Sequence, residues 1–362
     1  MKSSINSIIT GTGSYIPTQR IKNEDFLDRE FFDENGNRLE KSNEEIIQKF
    51  SEITEIQERR YVTDDLVNSD IAYLAALEAI KSAGIDKEEL DYIIVAHNFG
   101  DVKHGSNRTD MVPSLAARVK YKLEIENPET IAYDVPFGCP GWLQAVIQAD
   151  YYLRSGDAKK IMIIGAETLS RVSDPHDRDS MIYADGAAAT ILEARENKTQ
   201  SGILAHSTRS DTKVYANMLY MDKSFNPALK DKGDIYLKMQ GRKLYQYALV
   251  NVPQAIKGCL DKAGISIEDV NHVLIHQANG KMDEAIIKRL YALYDIDEVP
   301  PSVMPMTISW LGNSSVATIP TLLDLIWKDK LEGYDIHKDK GDILVFASVG
   351  AGMNINAIVY RM

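Results

Sequence analysis

Unbroken apolar runs, not alternating ones, mark the strands of this chain. Ile93 to Val95, Ile161 to Ile164 and Ile343 to Phe346 contain no polar position, the pattern of strands covered by helices on both faces. The first of these runs closes a segment that is written twice. Lys81 to Val95 and Asp261 to Ile275 align without a gap, Gly84 and Gly264 standing 180 positions apart. Each copy reads as a helix end, an Ala-Gly-Ile stop and an apolar strand. A second echo sets Phe137-Gly138-Cys139 against Leu311-Gly312-Asn313, 174 positions apart, each before an apolar helix-like run. A βαβ-type unit therefore recurs, and two copies this long predict pseudo-twofold packing, not a solenoid of short repeats. The polar stretch Asn197-Lys198-Thr199-Gln200-Ser201-Gly202 places the boundary near residue 200, giving halves 1–200 and 201–362. The expected fold class is α/β, in layers.

Composition narrows the classes of function. The chain has 362 residues, 44% hydrophobic and 26% charged, enough to bury a large core. Its apolar runs are strand-sized, and Met1 to Gly11 lacks both a basic leader and a long apolar stretch, so no membrane span and a cytoplasmic location are expected. Two cysteines, Cys139 and Cys259, cannot build a disulfide framework. A net charge of −12 argues against nucleic acid and anionic membranes as partners. An acidic partner would need a local basic patch. The histidines show no metal-ligand spacing with cysteines or carboxylates, and no glycine-rich phosphate loop is present, so neither a metal nor a cofactor is expected.

Candidate chemistry starts at Cys139, in Tyr133-Asp134-Val135-Pro136-Phe137-Gly138-Cys139-Pro140-Gly141-Trp142. A strand-like run delivers this thiol to the first turn of a helix, with Pro140 suited to the first helical position. Unpaired amides and the positive helix end there would favour the thiolate. A free cysteine alone is more often a buried structural residue. What changes the reading is its company. His276 follows the apolar strand Val273-Leu274-Ile275, and Asn313 opens a helix-like run. Singly, these read as a satisfied structural histidine and a helix cap. At equivalent places in two related halves, at the carboxyl ends of strands where α/β ligand sites lie, they form a candidate Cys-His-Asn site.

Six ordered blocks carry a resemblance over essentially the whole chain: Gly138-Cys139-Pro140-Gly141, Gly165-Ala166-Glu167-Thr168-Leu169-Ser170, Asp185-Gly186-Ala187-Ala188-Ala189, Leu237-Lys238-Met239-Gln240-Gly241-Arg242, His276-Gln277-Ala278-Asn279 and Gly312-Asn313-Ser314-Ser315. In this the chain resembles β-ketoacyl-ACP synthase III of the thiolase-like superfamily. The resemblance implies a homodimer of αβαβα subunits that condenses an acyl primer with malonyl-ACP. It implies an oxyanion hole from the backbone of Cys139 and of Gly350-Ala351-Gly352. It also implies carrier-protein docking by Lys281, Lys288 and Arg289, and a role for Arg178 at the nucleotide end of CoA. By its own chemistry Arg178 can equally pair with Asp177 or Asp179 on the surface. Lys281, Lys288 and Arg289 can equally belong to a plain solvated face with Asp283 and Glu284.

Departures from the family pattern bear on the substrate. The segment Asn43-Glu44-Glu45-Ile46-Ile47, followed by Lys49-Phe50, holds no tryptophan where relatives stack the CoA adenine, which points toward an acyl-ACP donor. Val112 stands where the family often has a phenylalanine that gates the acyl pocket across the dimer, and a smaller residue suggests a longer or branched primer. Phe26 to Leu39 and Asn98 to Asp110 read as insertions, candidates for lids or partner contacts. Two other readings stay open: condensation with a second acyl or β-keto thioester, and a non-catalytic scaffold that binds the carrier.

Overall fold

A computed structural model describes residues 4–197, 201–230, 232–337 and 341–362. Half of the boundary stretch, residues 198–200, lies outside these.

Two sheets organise the molecule. The first contains β1 (Ser4–Tyr15), β2 (Tyr92–His97), β3 (Ile131–Pro136), β4 (Lys160–Thr168) and β5 (Asp185–Asn197), in the order β1-β5-β4-β2-β3. The second contains β6 (Gly202–Ser210), β7 (Val270–Ile275), β8 (Ile343–Gly350) and β9 (Asn354–Arg361), in the order β6-β9-β8-β7. Strand senses correspond as well. β2 runs parallel to both β3 and β4, as β7 does to β8, and the remaining neighbours β1-β5, β4-β5, β6-β9 and β8-β9 are antiparallel. Where the first sheet has β3 beside β2, the Val273 N–H donates to the Val303 carbonyl at 2.7 Å.

Helices cover both faces of both sheets. α1 (Asn68–Ala83) and α2 (Leu115–Lys122) lie outside the first sheet, and their Ala72, Ala76 and Val119 pack with Ile93, Val95 and Ile164. α3 (Gly141–Ser155) and α6 (Thr318–Trp327) fill the middle layer, where Trp142, Val146, Leu322 and Leu323 share one apolar cluster with Ile94, Ile163, Leu274 and Phe346. α4 (Gly241–Ala263) and α5 (Gly280–Ala292) close the far side, against Val273 and Val345. Odd and even positions of one strand thus meet different helix layers, which is why both must be apolar. The result is the layered αβαβα architecture of the thiolase-like fold.

The repeat is visible residue by residue. α1 and α4 end at Ala83 and Ala263, each capped by a left-handed glycine, Gly84 (φ 65°) and Gly264 (φ 68°). A Cβ at either glycine would meet open space, so the backbone angle and not crowding requires glycine. Short 3-10 turns follow at Lys87–Glu89 and Ile267–Asp269, capped by Asp86 and Ser266, and then β2 and β7 begin.

The segments read as insertions are largely surface loops, each anchored by a few buried residues. Phe26 and Phe31 are buried in a cluster with Ile46 and Met181, and Asp101 and Val102 are buried in the second segment.

Candidate active site

The loops that leave the carboxyl ends of β2, β3, β4, β7 and β8 converge on one cavity of about 880 Å³, mouth included. Cys139, His276 and Asn313 all line it, together with Asn98, Ser315 and Ala351. Cys139 and His276 come from different sheets, each just past the carboxyl end of a strand, while Asn313 enters from the turn after the short helix Ile308–Leu311.

Cys139 sits in the turn before α3, not in its first helical turn. The helix starts at Gly141 with Pro140 as N-cap, and the Gly141 N–H donates to the Gly138 carbonyl at 2.9 Å. Gly350 lies against this turn: a Cβ there would come within 2.6 Å of both the Cys139 nitrogen and Pro140 Cδ. Of the residues expected to join Cys139 in supplying oxyanion backbone groups, Gly350 and Ala351 therefore border the cysteine turn or the cavity, and Gly352 (φ 77°) turns the chain into β9. The expected resting thiolate is corrected. Burial pushes the Cys139 thiol above its ordinary range, while the Ser315 hydroxyl and the cysteine's own backbone N–H pull the other way. Desolvation of the charged sulfur outweighs these two hydrogen bonds, which favours the thiol in the free site.

His276 is buried, and its backbone N–H donates to the Ala347 carbonyl of β8 at 2.9 Å. Burial holds its pKa down at about 4, against a weaker opposing pull from the Ser315 backbone. The imidazole is thus neutral at physiological pH, as a hydrogen-bond donor that must not protonate a carbanion requires.

Asn313 is 5% exposed and fixed at both backbone ends: its N–H donates to Ile182 at 3.0 Å and its carbonyl accepts from Ala184 at 2.8 Å. The side-chain oxygen accepts from the Ser315 N–H at 2.8 Å. That bond sets the amide orientation, leaving Nδ2 as the group to donate into the cavity.

Three residues that local patterns did not single out complete this cluster. Ser315 has φ +53°, a strained backbone for a residue with a side chain, and its hydroxyl donates to Cys139 Sγ at 3.4 Å. Asn98 Nδ2 donates to that same hydroxyl at 3.1 Å and to Glu167 Oε1 at 2.8 Å. Glu167, 1% exposed, also accepts from the Asn98 backbone N–H. The available signal was a carboxyl at the end of the apolar run Ile161 to Ala166, which a buried strand tolerates only with partners.

The cavity's far wall is an apolar two-stranded ribbon, Leu219–Asp222 paired with Tyr236–Met239, which turns Leu219, Met221, Leu237 and Met239 inward. Between the last two, fully buried Lys238 points the other way. Its Nζ lies 2.6 Å from Asp174 and 3.3 Å from Asp177, over the Phe225 ring, and fastens the ribbon to the loop before Arg178.

The remaining expected site residues lie outside the cavity lining. Arg178 is exposed and reaches Asp179 at 3.6 Å. Lys281, Lys288 and Arg289 are exposed on α5, whose Met282 lines the cavity. Asp283 does not share their face; it is completely buried, and burial raises its pKa well above the carboxylate range. Val112 is 87% exposed and away from its own chain's cavity. Among the described residues there is no cluster of three His, Cys, Asp or Glu side chains suited to a metal, and no helix long and apolar enough to cross a membrane.

Comparison with known proteins agrees with the geometry. The family 3-oxoacyl-[acyl-carrier-protein (ACP)] synthase III matches residues 133–212, and its C-terminal part matches residues 260–362. The β-ketoacyl-[acyl-carrier-protein] synthases III of Chelativorans sp. (strain BNC1) and Paracoccus denitrificans (strain Pd 1222) are 30% and 31% identical, over 99% and 98% of this chain and 99% of each relative. The crystal structure of the Thermus thermophilus β-ketoacyl-[acyl-carrier-protein] synthase III is 28% identical, with a TM-score of 0.79 over 98% of both chains. With Cys139, His276 and Asn313 gathered in one cavity between two related sheets, the chain belongs to the 3-oxoacyl-[acyl-carrier-protein] synthase III family of acyltransferase-type condensing enzymes.

Proposed function

We propose that Cys139 accepts an acyl group from a primer thioester and passes it to the carbanion formed by decarboxylation of malonyl-ACP, giving a β-ketoacyl-ACP. The observation that carries this reading is the Asn313 amide, locked by the Ser315 N–H so that its own N–H faces the same cavity as a neutral imidazole and a thiol. Two neutral donors suit an enolate and cannot quench it.

In the first half-reaction the Cys139 sulfur attacks the thioester carbonyl and the carrier thiol leaves with the proton that the cysteine gives up. Backbone N–H groups of Cys139 and of the Gly350-Ala351-Gly352 turn stabilise the oxyanion. In the second, malonyl-ACP loses CO2, and His276 and Asn313 hold the negative charge on the thioester oxygen. The enolate carbon bonds to the acyl carbon, the bond to Cys139 breaks, and the sulfur regains a proton. No resident cofactor takes part.

Lys281, Lys288 and Arg289 face solvent on the helix that carries cavity-lining Met282, a basic patch on a chain of net charge −12. This arrangement suits steering of an acidic carrier protein to the mouth. The lack of a tryptophan in residues 43–50 favours an acyl-ACP primer over acyl-CoA, with Arg178 left to contact phosphate. In a homodimer Val112 would reach the partner's pocket as a small gate, favouring a longer or branched chain.

The test is incubation with malonyl-ACP and a panel of acyl-CoA and acyl-ACP primers, with products and protein followed by mass spectrometry. The expected result is acyl-Cys139, CO2 release and a β-ketoacyl-ACP, all absent in Cys139→Ala. Products that form without CO2 release would assign the second substrate to another acyl or β-keto thioester. A wild-type protein that no thioester acylates would leave a carrier-binding scaffold.

A further inference from the structure

Ser315 touches every member of the triad. Its hydroxyl donates to Cys139 Sγ, its backbone N–H holds the Asn313 side chain, and its backbone meets the His276 ring. The residue is 4% exposed and held at φ +53°, a conformation that costs free energy and persists only where surroundings impose it. Those surroundings lead outward to Asn98 and then to Glu167.

The direction of each hydrogen bond follows from donor chemistry. Glu167 Oε1 accepts both the backbone and the side-chain N–H of Asn98, which fixes the Asn98 amide with its nitrogen toward Ser315. Asn98 Nδ2 then donates to the Ser315 oxygen. A hydroxyl whose oxygen already accepts in this way has its proton left for another partner, and the sulfur is that partner. A reversed Asn98 amide would present its oxygen instead, pull the hydroxyl proton toward itself and leave the sulfur without a donor. An amide N–H cannot pass a proton along this line, so the series orients groups and does not conduct protons.

We propose that Glu167 is a positioning residue for Cys139: through Asn98 it holds the Ser315 hydroxyl as a donor to the sulfur, so that the nucleophilic thiolate forms more readily when the site is used. Burial raises the Glu167 pKa well above the carboxylate range, and the neighbouring Cys139 charge raises it further. A neutral acid accepts both Asn98 bonds without placing a negative charge beside the thiolate.

Alkylation of Cys139 by iodoacetamide as a function of pH reads the thiolate directly, with no acyl substrate or carrier. The outcome is therefore separable from the condensing reaction proposed above. Ser315→Ala and Asn98→Ala should each slow alkylation at pH 7 by about tenfold and move the inflection upward, the scale of a lost hydrogen bond to a charged acceptor. Glu167→Ala should do the same, whereas Glu167→Gln, whose carbonyl accepts the same two N–H groups, should alkylate within about twofold of the parent. Asn98→Ala removes no buried acid and keeps the test open if Glu167→Ala fails to fold. A folded Glu167→Ala or Asn98→Ala with the parent profile would overturn the proposal, and so would a folded Glu167→Gln as slow as Glu167→Ala.

Discussion

Replacing Asn313 by aspartate tests the assignment of its amide with almost no change of shape. Aspartate keeps an oxygen for the Ser315 N–H, which Asn313 now accepts at 2.8 Å, so the fold and the Cys139–Ser315 contact should survive. The second position changes from a donor to an acceptor that faces the site of the developing enolate. Loss of one such donor costs about 100- to 1,000-fold in rate, roughly 3–4 kcal/mol of transition-state stabilisation. Acylation of Cys139, which uses backbone donors, should stay within about threefold of the parent. A side chain at this position is 5% exposed, and burial raises a carboxyl's pKa. Below that pKa the protonated acid can donate again, so the Asn313→Asp condensation rate should climb as pH falls, whereas Asn313→Ala should stay low throughout. Single-turnover transfer from pre-acylated enzyme to malonyl-ACP, followed by mass spectrometry between pH 5.5 and 8, separates the two half-reactions. Condensation by Asn313→Ala at the parent rate would refute the role given to the amide.

Three further outcomes follow from the geometry. Gly350→Ala should slow acylation at least tenfold and cost about 1–3 kcal/mol of stability, because the new methyl would lie 2.6 Å from the Cys139 nitrogen; intact-mass acylation and denaturant unfolding measure both. His276, with a folded pKa of about 4 against an ordinary 6.5, should cost stability as pH falls from about 6.5 to 4. In that window the unfolded chain takes up a proton that the native site refuses, worth about 3 kcal/mol. His276→Asn should flatten that part of the profile, and equal slopes in urea unfolding would contradict it. Lys288→Glu with Arg289→Glu should lower kcat/KM for carrier-borne substrates about tenfold at low ionic strength, with the loss shrinking in salt, and leave acylation by a small thioester unchanged.

The layered fold was legible where local chemistry repeats. The Ala-Gly-Ile stops predicted both helix ends, since Gly84 and Gly264 answer to a backbone angle that neighbouring residues alone dictate. Unbroken apolar runs gave the doubly covered strands. Boundaries and faces were harder. Pro140 caps its helix instead of opening it, and Asp283 lies within the apolar arc of α5 beside Met282 and Ile286, where a charge pattern alone read it as solvated. At the site, Cys139 and His276 stood out as chemical types just past strand ends, whereas Asn313, expected at a strand end too, follows the short helix Ile308–Leu311. The cluster around Ser315 did not, because its contacts join residues 69, 176 and 217 positions apart, and no periodicity encodes such meetings. The thiol's resting state was missed for a related reason: desolvation depends on what packs around the sulfur, not on the turn that carries it.

The middle helical layer ties the two duplicated halves into one mechanical object. α3 starts two residues after the nucleophile and α6 five residues after the amide, and both sheets bury a face on this same pair. Neither repeat can be cut away without baring Trp142 or Leu322 to water, so the chain should melt in a single cooperative step despite its two-sheet construction. The arrangement also constrains substitution: a change that slides either buried helix along its axis displaces a reacting group, which couples packing in one half to chemistry shared with the other.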